Sequence, residues 1–508
     1  MGYKEVSLKL PTDYSENIVL KKIKQKLHIK DFTYQVDKKS LDARNKRNIQ
    51  WQVKISVLSN ELKNAPPQPI PALDITYKKR KEKVIVAGSG PAGFFSALLL
   101  QKSGYQVTLI ERGSEVINRA DGIRKFEKTG IFNPMCNYSF GEGGAGTFSD
   151  GKLTSRTKHI AKEKHFILSN YVKAGAPEEI MYMAHPHLGS DNLIKIIKNL
   201  RKEFIEAGGV IQFETLLNNL TLKKGKITGA ITNKGEFNAD YFFLATGHSA
   251  YETYRMLINK GVVFNTKNFA VGYRVEHSQS IINMAQWGVE NLPGVKAAEY
   301  RLTFKSNDSL PVYTFCMCPG GTIVNASAYD NINIVNGMSL YNRSGKFANA
   351  ACVAGINLNE LLKSDISALQ ALEWLENIER NFYSYSHGFK APFCSIEDFI
   401  TKKEKSNSVD TSYKLGLKPS PLWELLPQPI SNSIRQGLKG FTKKLKGFES
   451  GNIMGLESKT SAPIQAVRDK SRLCQGFDNL FIIGEGSGHS GGIISSGVDG
   501  IKSAITII

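Results

Sequence analysis

Residues 84–111, V-I-V-A-G-S-G-P-A-G-F-F-S-A-L-L-L-Q-K-S-G-Y-Q-V-T-L-I-E, decide the fold. Val84–Ala87 is apolar and β-branched and predicts a strand, and Gly88, Gly90 and Gly93 follow in G-x-G-x-x-G spacing. Phe94–Ser103, rich in Ala and Leu, predicts a helix, and Gln106–Ile110 predicts a second strand that ends at Glu111. Glycine turns of this kind let the backbone approach a pyrophosphate, whose charge is held at the helix N-terminus. Gly88, Gly90, Pro91, Ala92 and Gly93 are therefore expected to face the phosphates. A carboxylate placed after the second strand accepts hydrogen bonds from a ribose hydroxyl, which assigns Glu111 to the adenosine side. A glycine turn that merely packs a βαβ unit does not need that acid. The ordered set of strand, glycines, helix, strand and acid reads as a site for an adenine dinucleotide.

Working outward, the same domain returns twice. Asp191–Ala207 predicts an amphipathic helix, Val210–Phe213 a strand, and a β-meander leads into A-D-Y-F-F-L-A-T-G at 239–247. An apolar strand running into Ala245, Thr246 and Gly247 puts small residues where backbone and ligand approach closely. Near the C-terminus another apolar strand, Leu480–Ile483, runs into glycines, with a helix from Gly492. The fold class is α/β. A Rossmann-like dinucleotide-binding domain is built from discontinuous segments, 81–250 and 456–508, and an α+β cap is inserted at 251–455. Residues 1–63 predict a small α+β module of βαββ order, for which a ferredoxin-like form is open. Its pieces are the strands Val6–Leu10, Phe32–Val36 and Gln50–Val57 and a helix to Leu27. Residues 64–80 predict a Pro-rich linker.

The 508 residues carry a net charge of +20, and residues 1–83 hold 19 cations against 9 acids, half of that excess. A basic module binds nucleic acid or an acidic partner, or is a solvated lysine-rich face; lysine outnumbers arginine here, which favours the latter. Six cysteines do not make a disulfide framework in a chain this long. No run is long and apolar enough to span a bilayer, and the N-terminus has no signal-peptide core, so a cytoplasmic protein without a membrane partner is expected.

Several longer stretches carry a resemblance. They are K-S-L-D-A-R (39–44), F-G-E-G-G-A-G-T-F-S-D-G-K-L-T (140–154), F-C-M-C-P-G-G (315–321), V-N-G-M-S (335–339), E-S-K-T-S-A-P-I (457–464) and G-E-G-S-G-H-S-G-G-I-I-S-S-G-V-D-G (484–500). With the glycine unit, they resemble FAD-binding proteins of the glutathione-reductase-like fold group. More closely, over essentially the whole length, the chain looks like a bacterial family of uncharacterised FAD-dependent dehydrogenases. The resemblance implies FAD as cofactor but names no substrate. It places the Leu217 backbone beside the adenine and lets Glu485, after Gly484, accept from a ribityl hydroxyl. Gly491, Gly492 and Ile493 then offer amides to the flavin. Gly143, Gly144, Ala145, Gly146 and Thr147 form a loop almost without side chains that can approach a flavin or phosphate. Arg112 and Lys152 are candidates for neutralising phosphate, and Asp150 and Asp499 are either functional acids or ordinary caps or surface acids.

No second glycine unit follows, and no C-x-x-C pair is present, so a disulfide reductase with its own nicotinamide domain is a poor fit. Hydride comes from a small-molecule substrate, or from NAD(P)H docking on the flavin without a dedicated domain. Candidate catalytic residues are Cys316 and Cys318, whose alternation on a strand would put both sulfurs on one face, and His489 in the C-terminal glycine turn. Two buried small residues and a structural histidine are the plainer readings. No His/Cys set at ligand spacing accompanies them, so no metal is expected. Arg274 and His277 either line the pocket or pair with Glu276 or Glu299. The function expected is an FAD-dependent oxidoreductase that exchanges hydride between a small molecule and the flavin N5. The alternatives are a flavoprotein that binds or modifies RNA and a non-catalytic FAD-binding protein.

Overall fold

A computed structural model describes residues 1–65, 70, 72–405 and 409–508. Within the predicted linker 64–80, Pro66, Pro67, Gln68, Pro69 and Pro71 lie outside the described residues.

The chain is mixed α/β, built around a five-stranded parallel sheet. Its order is Leu480–Ile482, Tyr241–Leu244, Lys83–Ala87, Gln106–Ile110, Val210–Gln212. Strands far apart in sequence thus lie side by side, with Lys83–Ala87 at the centre. Such strands are buried on both faces and need continuous apolar runs, as V-I-V-A, Y-F-F-L and L-F-I supply. The helix Pro91–Lys102 packs on one face against the C-terminal helix Ile493–Ile505. It starts earlier than the apolar pattern predicts because Gly90 is its N-cap and Pro91 occupies the first turn, where a missing N–H costs nothing. The meander Leu217–Lys223, Lys226–Thr232 and Gly235–Asn238 forms a separate antiparallel sheet.

The region after residue 250 forms an eight-stranded sheet, antiparallel except where Ala391–Ser395 meets Leu417–Pro419. Its centre is Phe347–Ile356, Phe269–Ser278 and Asn452–Glu457, so the last of these strands spans the boundary drawn at 455/456. The helix Gln428–Lys444 lays Ile430, Ile434, Leu438 and Phe441 against this sheet at helical spacing. The helix Ala368–Ser386 packs Leu372, Leu375 and Phe382 into the same core. Ser367 and Gln370 form a reciprocal capping box that fixes the start.

Residues 1–65 hold a βαββ unit of Gly2–Leu10, Glu16–Leu27, Thr33–Asp42 and Gln50–Ser59, with the third strand central. The second helix and fourth strand of a ferredoxin-like module are absent among the described residues of this segment. Thr33–Asp42 runs well past Val36 because a bulge between Val36 and Lys38 absorbs the break in alternation. Among the described residues no helix is long and apolar enough to cross a membrane.

Candidate functional site

Three stretches converge at the C-terminal ends of the parallel strands, where open α/β sheets bind ligands. The glycine turn, the 141–147 loop and the C-terminal turn meet around one small pocket, lined from these stretches by Ser89, Pro91, Gly143, Gly146, Thr147 and Ile493.

The glycines divide into two kinds. Gly88 has φ +102°, and a Cβ there would stand 2.4 Å from the Ala245 carbonyl oxygen; at Gly93 it would stand 1.9 Å from that of Gly88. These positions hold helix and strands together. Gly90 is different: its Cβ would meet only the Gly144 Cα, at 3.7 Å. At Gly247 and Gly492 a Cβ would meet nothing within 4 Å. The space left beside Gly90, Gly247 and Gly492, together with the first-turn amides of Pro91–Lys102 and Ile493–Ile505, fits a dinucleotide with its pyrophosphate at a helix N-terminus. Ala92, Gly484 and Ala245 are packing positions: a Cβ on Gly484 would lie 2.5 Å from that of Ala92.

Glu111 is buried, and its oxygens accept from the Ser89 amide (2.9 Å) and hydroxyl (2.7 Å) and from the amides of Gly113 (2.9 Å) and Gly141 (3.1 Å). A carboxylate has about four acceptor sites, so a ribose hydroxyl at Glu111 would share an oxygen. The same acid therefore ties the glycine turn to the 141–147 loop. Arg119, which no local pattern marks, is fully buried and spans that loop. It donates to the carbonyls of Asn137, Tyr138, Gly141, Glu142 and Gly144 at 2.8–3.2 Å. The Thr147 hydroxyl turns inward to the Glu142 carbonyl at 3.3 Å. Arg112 does not stand free for phosphate: it pairs with Glu252 and stacks 3.7 Å from the Phe140 ring centroid. Leu217 is buried at the start of the meander, in one cluster with Ala87 and Ile110.

In the C-terminal turn Glu485 lies 3.2 Å from His248 Nδ1, a partner directly after Ala-Thr-Gly that sequence reasoning missed. Burial opposes the charged form of Glu485, but His248, the Gly492 amide and Lys267 outweigh it and hold the carboxyl below its usual range. Gly491 and Gly492 are exposed, while Ile493 is buried against Gly146. Asp499 is neither cap nor surface acid. It accepts from the Gly484 amide at 2.8 Å and pairs with Arg468 (3.0 Å) and Arg472 (2.6 Å), so it braces the turn from behind.

His489 Nε2 lies 2.9 Å from the Ala466 carbonyl oxygen, which fixes the ring to the backbone. Arg274 is fully buried on the cap strand and pairs with Glu457 at 2.7 Å, not with Glu276 or Glu299. His277 holds the Phe448 carbonyl at 2.8 Å. Asp150 is buried between Lys152 (3.0 Å) and Arg343, so Lys152 serves a carboxylate rather than a phosphate. Cys316 and Cys318 are free thiols beside this cluster. No group of residues able to hold a metal is present among the described residues.

Sheet order, glycine turn and cradle together define a Rossmann-type FAD-binding protein. Residues 81–127 match the family model described as FAD binding domain, and residues 268–460 match FAD-dependent protein, C-terminal domain-like. Residues 3–58 match a domain of unknown function, DUF8436. Over 525 aligned residues the chain is 37% identical to an uncharacterized protein of Clostridium beijerinckii, covering 99% of this chain and 98% of that one. It is 30% identical over 180 residues to L-aspartate oxidase of Saccharolobus solfataricus, covering 33% of this chain and 37% of that one. Among solved structures, CtdE in complex with FAD aligns at 11% identity over 84% of each chain, with a TM-score of 0.35. The chain belongs to the bacterial family of uncharacterised FAD-dependent dehydrogenases, and its cofactor is FAD.

Proposed function

We propose that the protein is a dehydrogenase that exchanges hydride between FAD and a small molecule held under the 251–455 region. The observation that carries this reading is the contact between that region and the loops around the cofactor cradle. Lys267 Nζ donates to the Gly488 carbonyl at 2.6 Å and Tyr254 Oη to that of Gly486 at 3.0 Å. On the other side Ser139 Oγ donates to the Ala326 carbonyl at 2.8 Å, and Lys152 Nζ to that of Met317. A cap seated on both loops positions a substrate and keeps water out. FAD supplies the two-electron chemistry, with N5 as the hydride atom. The chain's own part is to bind and tune: the N-terminus of Ile493–Ile505, entered through exposed Gly491 and Gly492, offers amides to an anionic cofactor edge. The 141–147 loop, held by Arg119, keeps the opposite wall fixed.

Anaerobic stopped-flow mixing of the FAD-loaded protein with small amines, amino acids, hydroxy acids and NAD(P)H tests the reading. Bleaching of the flavin by one small-molecule class is the expected result. Reduction by NAD(P)H alone would make the nicotinamide the donor and move the small molecule to the oxidative half-reaction. Failure of every donor with FAD still bound would overturn the reading in favour of a non-catalytic cofactor.

A further inference from the structure

We propose that Cys316 and Cys318 form a redox-active dithiol that closes to an internal disulfide by exchange with a small-molecule disulfide. The strand Val312–Asn325 is irregular at this point. Phe315 stands opposite Ala351 and Cys318 opposite Asn349, so three steps on one strand match two on its neighbour. The same mismatch recurs between Cys318 and Gly321, which stands opposite Phe347. Two successive bulges thus flank Cys318, and Cys316 adopts a left-handed φ of +44° that a non-glycine residue rarely takes. The Cys318 thiol turns back on Cys316, with Sγ 3.4 Å from its carbonyl oxygen. Of the six free cysteines Cys316 is the one that is only partly buried.

The surrounding charges call for an anion. Arg274 Nη2 lies 2.8 Å from the Cys316 carbonyl oxygen and 3.5 Å from Cys318 Sγ, and Lys152 Nζ donates to the Met317 carbonyl between them. Lys152, Arg274 and Arg343 are opposed by two buried carboxylates, Asp150 and Glu457; Glu299, 3.8 Å from Arg343, is 39% exposed. A thiolate on Cys316 supplies the charge that this buried set lacks. The hydrogen bond from Cys318, acting against burial, and then the Lys152 and Arg274 cations hold the Cys316 thiol well below its ordinary range. The same hydrogen bond and burial push Cys318 up. One sulfur is therefore the nucleophile and the other the proton-bearing partner, whereas the thiols of Cys352, Cys394 and Cys474 are pushed up, by burial foremost.

The exchange balances without the flavin and does not rest on the dehydrogenase reading. The Cys316 thiolate attacks one sulfur of R–S–S–R, forming Cys316–S–S–R and releasing RS⁻. Cys318 gives its proton to that RS⁻ and attacks the Cys316 sulfur, which breaks the mixed disulfide and releases the second RS⁻. The protein loses two electrons, and the small disulfide gains them as one RSH and one RS⁻.

The test uses FAD-loaded protein equilibrated with mixtures of reduced and oxidised glutathione, then blocked with N-ethylmaleimide and mapped by mass spectrometry. The expected result is joint loss of label from Cys316 and Cys318 as the oxidised form increases. In Cys318→Ser, a glutathione adduct on Cys316 is expected instead. In a pH profile, iodoacetamide at pH 6 is expected to modify Cys316 at least about tenfold faster than Cys318, Cys352, Cys394 and Cys474, because its thiol is held down and theirs are pushed up. Lys152→Met is expected to shift the midpoint of that profile upward. Should Cys318→Ser not fold, the wild-type alkylation profile still decides. Full labelling of both cysteines at every glutathione ratio would overturn the proposal, as would an alkylation midpoint on Cys316 no lower than that of an ordinary thiol.

Discussion

The two kinds of glycine in the cradle separate folding from binding at single residues. Gly93→Ala drives a methyl into the Gly88 carbonyl at 1.9 Å and is expected to abolish folded protein or cost about 3 kcal/mol or more. Gly90→Ala has room, with only the Gly144 Cα at 3.7 Å, so its fold is expected to stand. The same methyl occupies space given to the pyrophosphate, so FAD affinity is expected to fall about tenfold or more, roughly 1.4 kcal/mol. Circular dichroism and flavin fluorescence titration measure the two effects; wild-type affinity in Gly90→Ala would remove the phosphates from this turn. The sequence announced these glycines and Glu111 because a βαβ unit is local. It was silent on what Glu111 holds, since the Gly141 amide comes from 30 residues away. It was silent too on Arg119, an unremarkable helical arginine until the loop carbonyls wrap around it.

At the scale of elements, two side chains of the strand Phe269–Ser278 give opposite lessons. Arg274 reaches Glu457 on the neighbouring strand, 183 residues away, a pairing that no spacing rule could propose. Breaking one half of a buried pair strands the other charge, so Arg274→Met is expected to cost about 3–5 kcal/mol in urea unfolding. Arg274→Met with Glu457→Met is expected to recover much of that; equal losses in single and double variants would contradict the pairing. His277 is buried with Nε2 on the Phe448 carbonyl and Nδ1 without a partner, and burial pushes it down to about 4. The folded state thus holds its proton less tightly than the unfolded chain, whose imidazole titrates near about 6.5. Its contribution is present above the unfolded value and lost as pH falls through the folded one. Relative to His277→Asn, the wild type is expected to lose about 3 kcal/mol between about pH 7 and pH 4. The comparison is needed because burial pushes Glu142 the other way, up to about 7. A pH-independent difference would show His277 to be hydrated or already charged.

For the whole molecule, order of elements was more legible than their partners. Each parallel strand was visible as an apolar run, and the glycine motifs said which ends carry the ligand. The cap sheet was not readable as eight strands, because its members join across more than 180 residues and two carry bulges. The basic N-terminal module was legible as a unit but not as a docked one. Lys46 Nζ donates to the Ala285 carbonyl at 2.6 Å, and Lys22 and Lys26 donate to carbonyls of Lys9 and Ser7 at 2.8 and 2.9 Å. With its lysines partly engaged in this way, the full chain is expected to show no tight binding to single-stranded RNA by fluorescence anisotropy. Binding that weakens steeply with salt would contradict that.

The central claim is that the glycine turn, the 141–147 loop and the C-terminal turn form one seat for FAD. The most direct measurement is the flavin content of the purified full chain after stripping and reloading with excess FAD. One tightly held equivalent per chain, reduced in proportion by Gly90→Ala, is the expected result; a folded chain that stays colourless after incubation would contradict it.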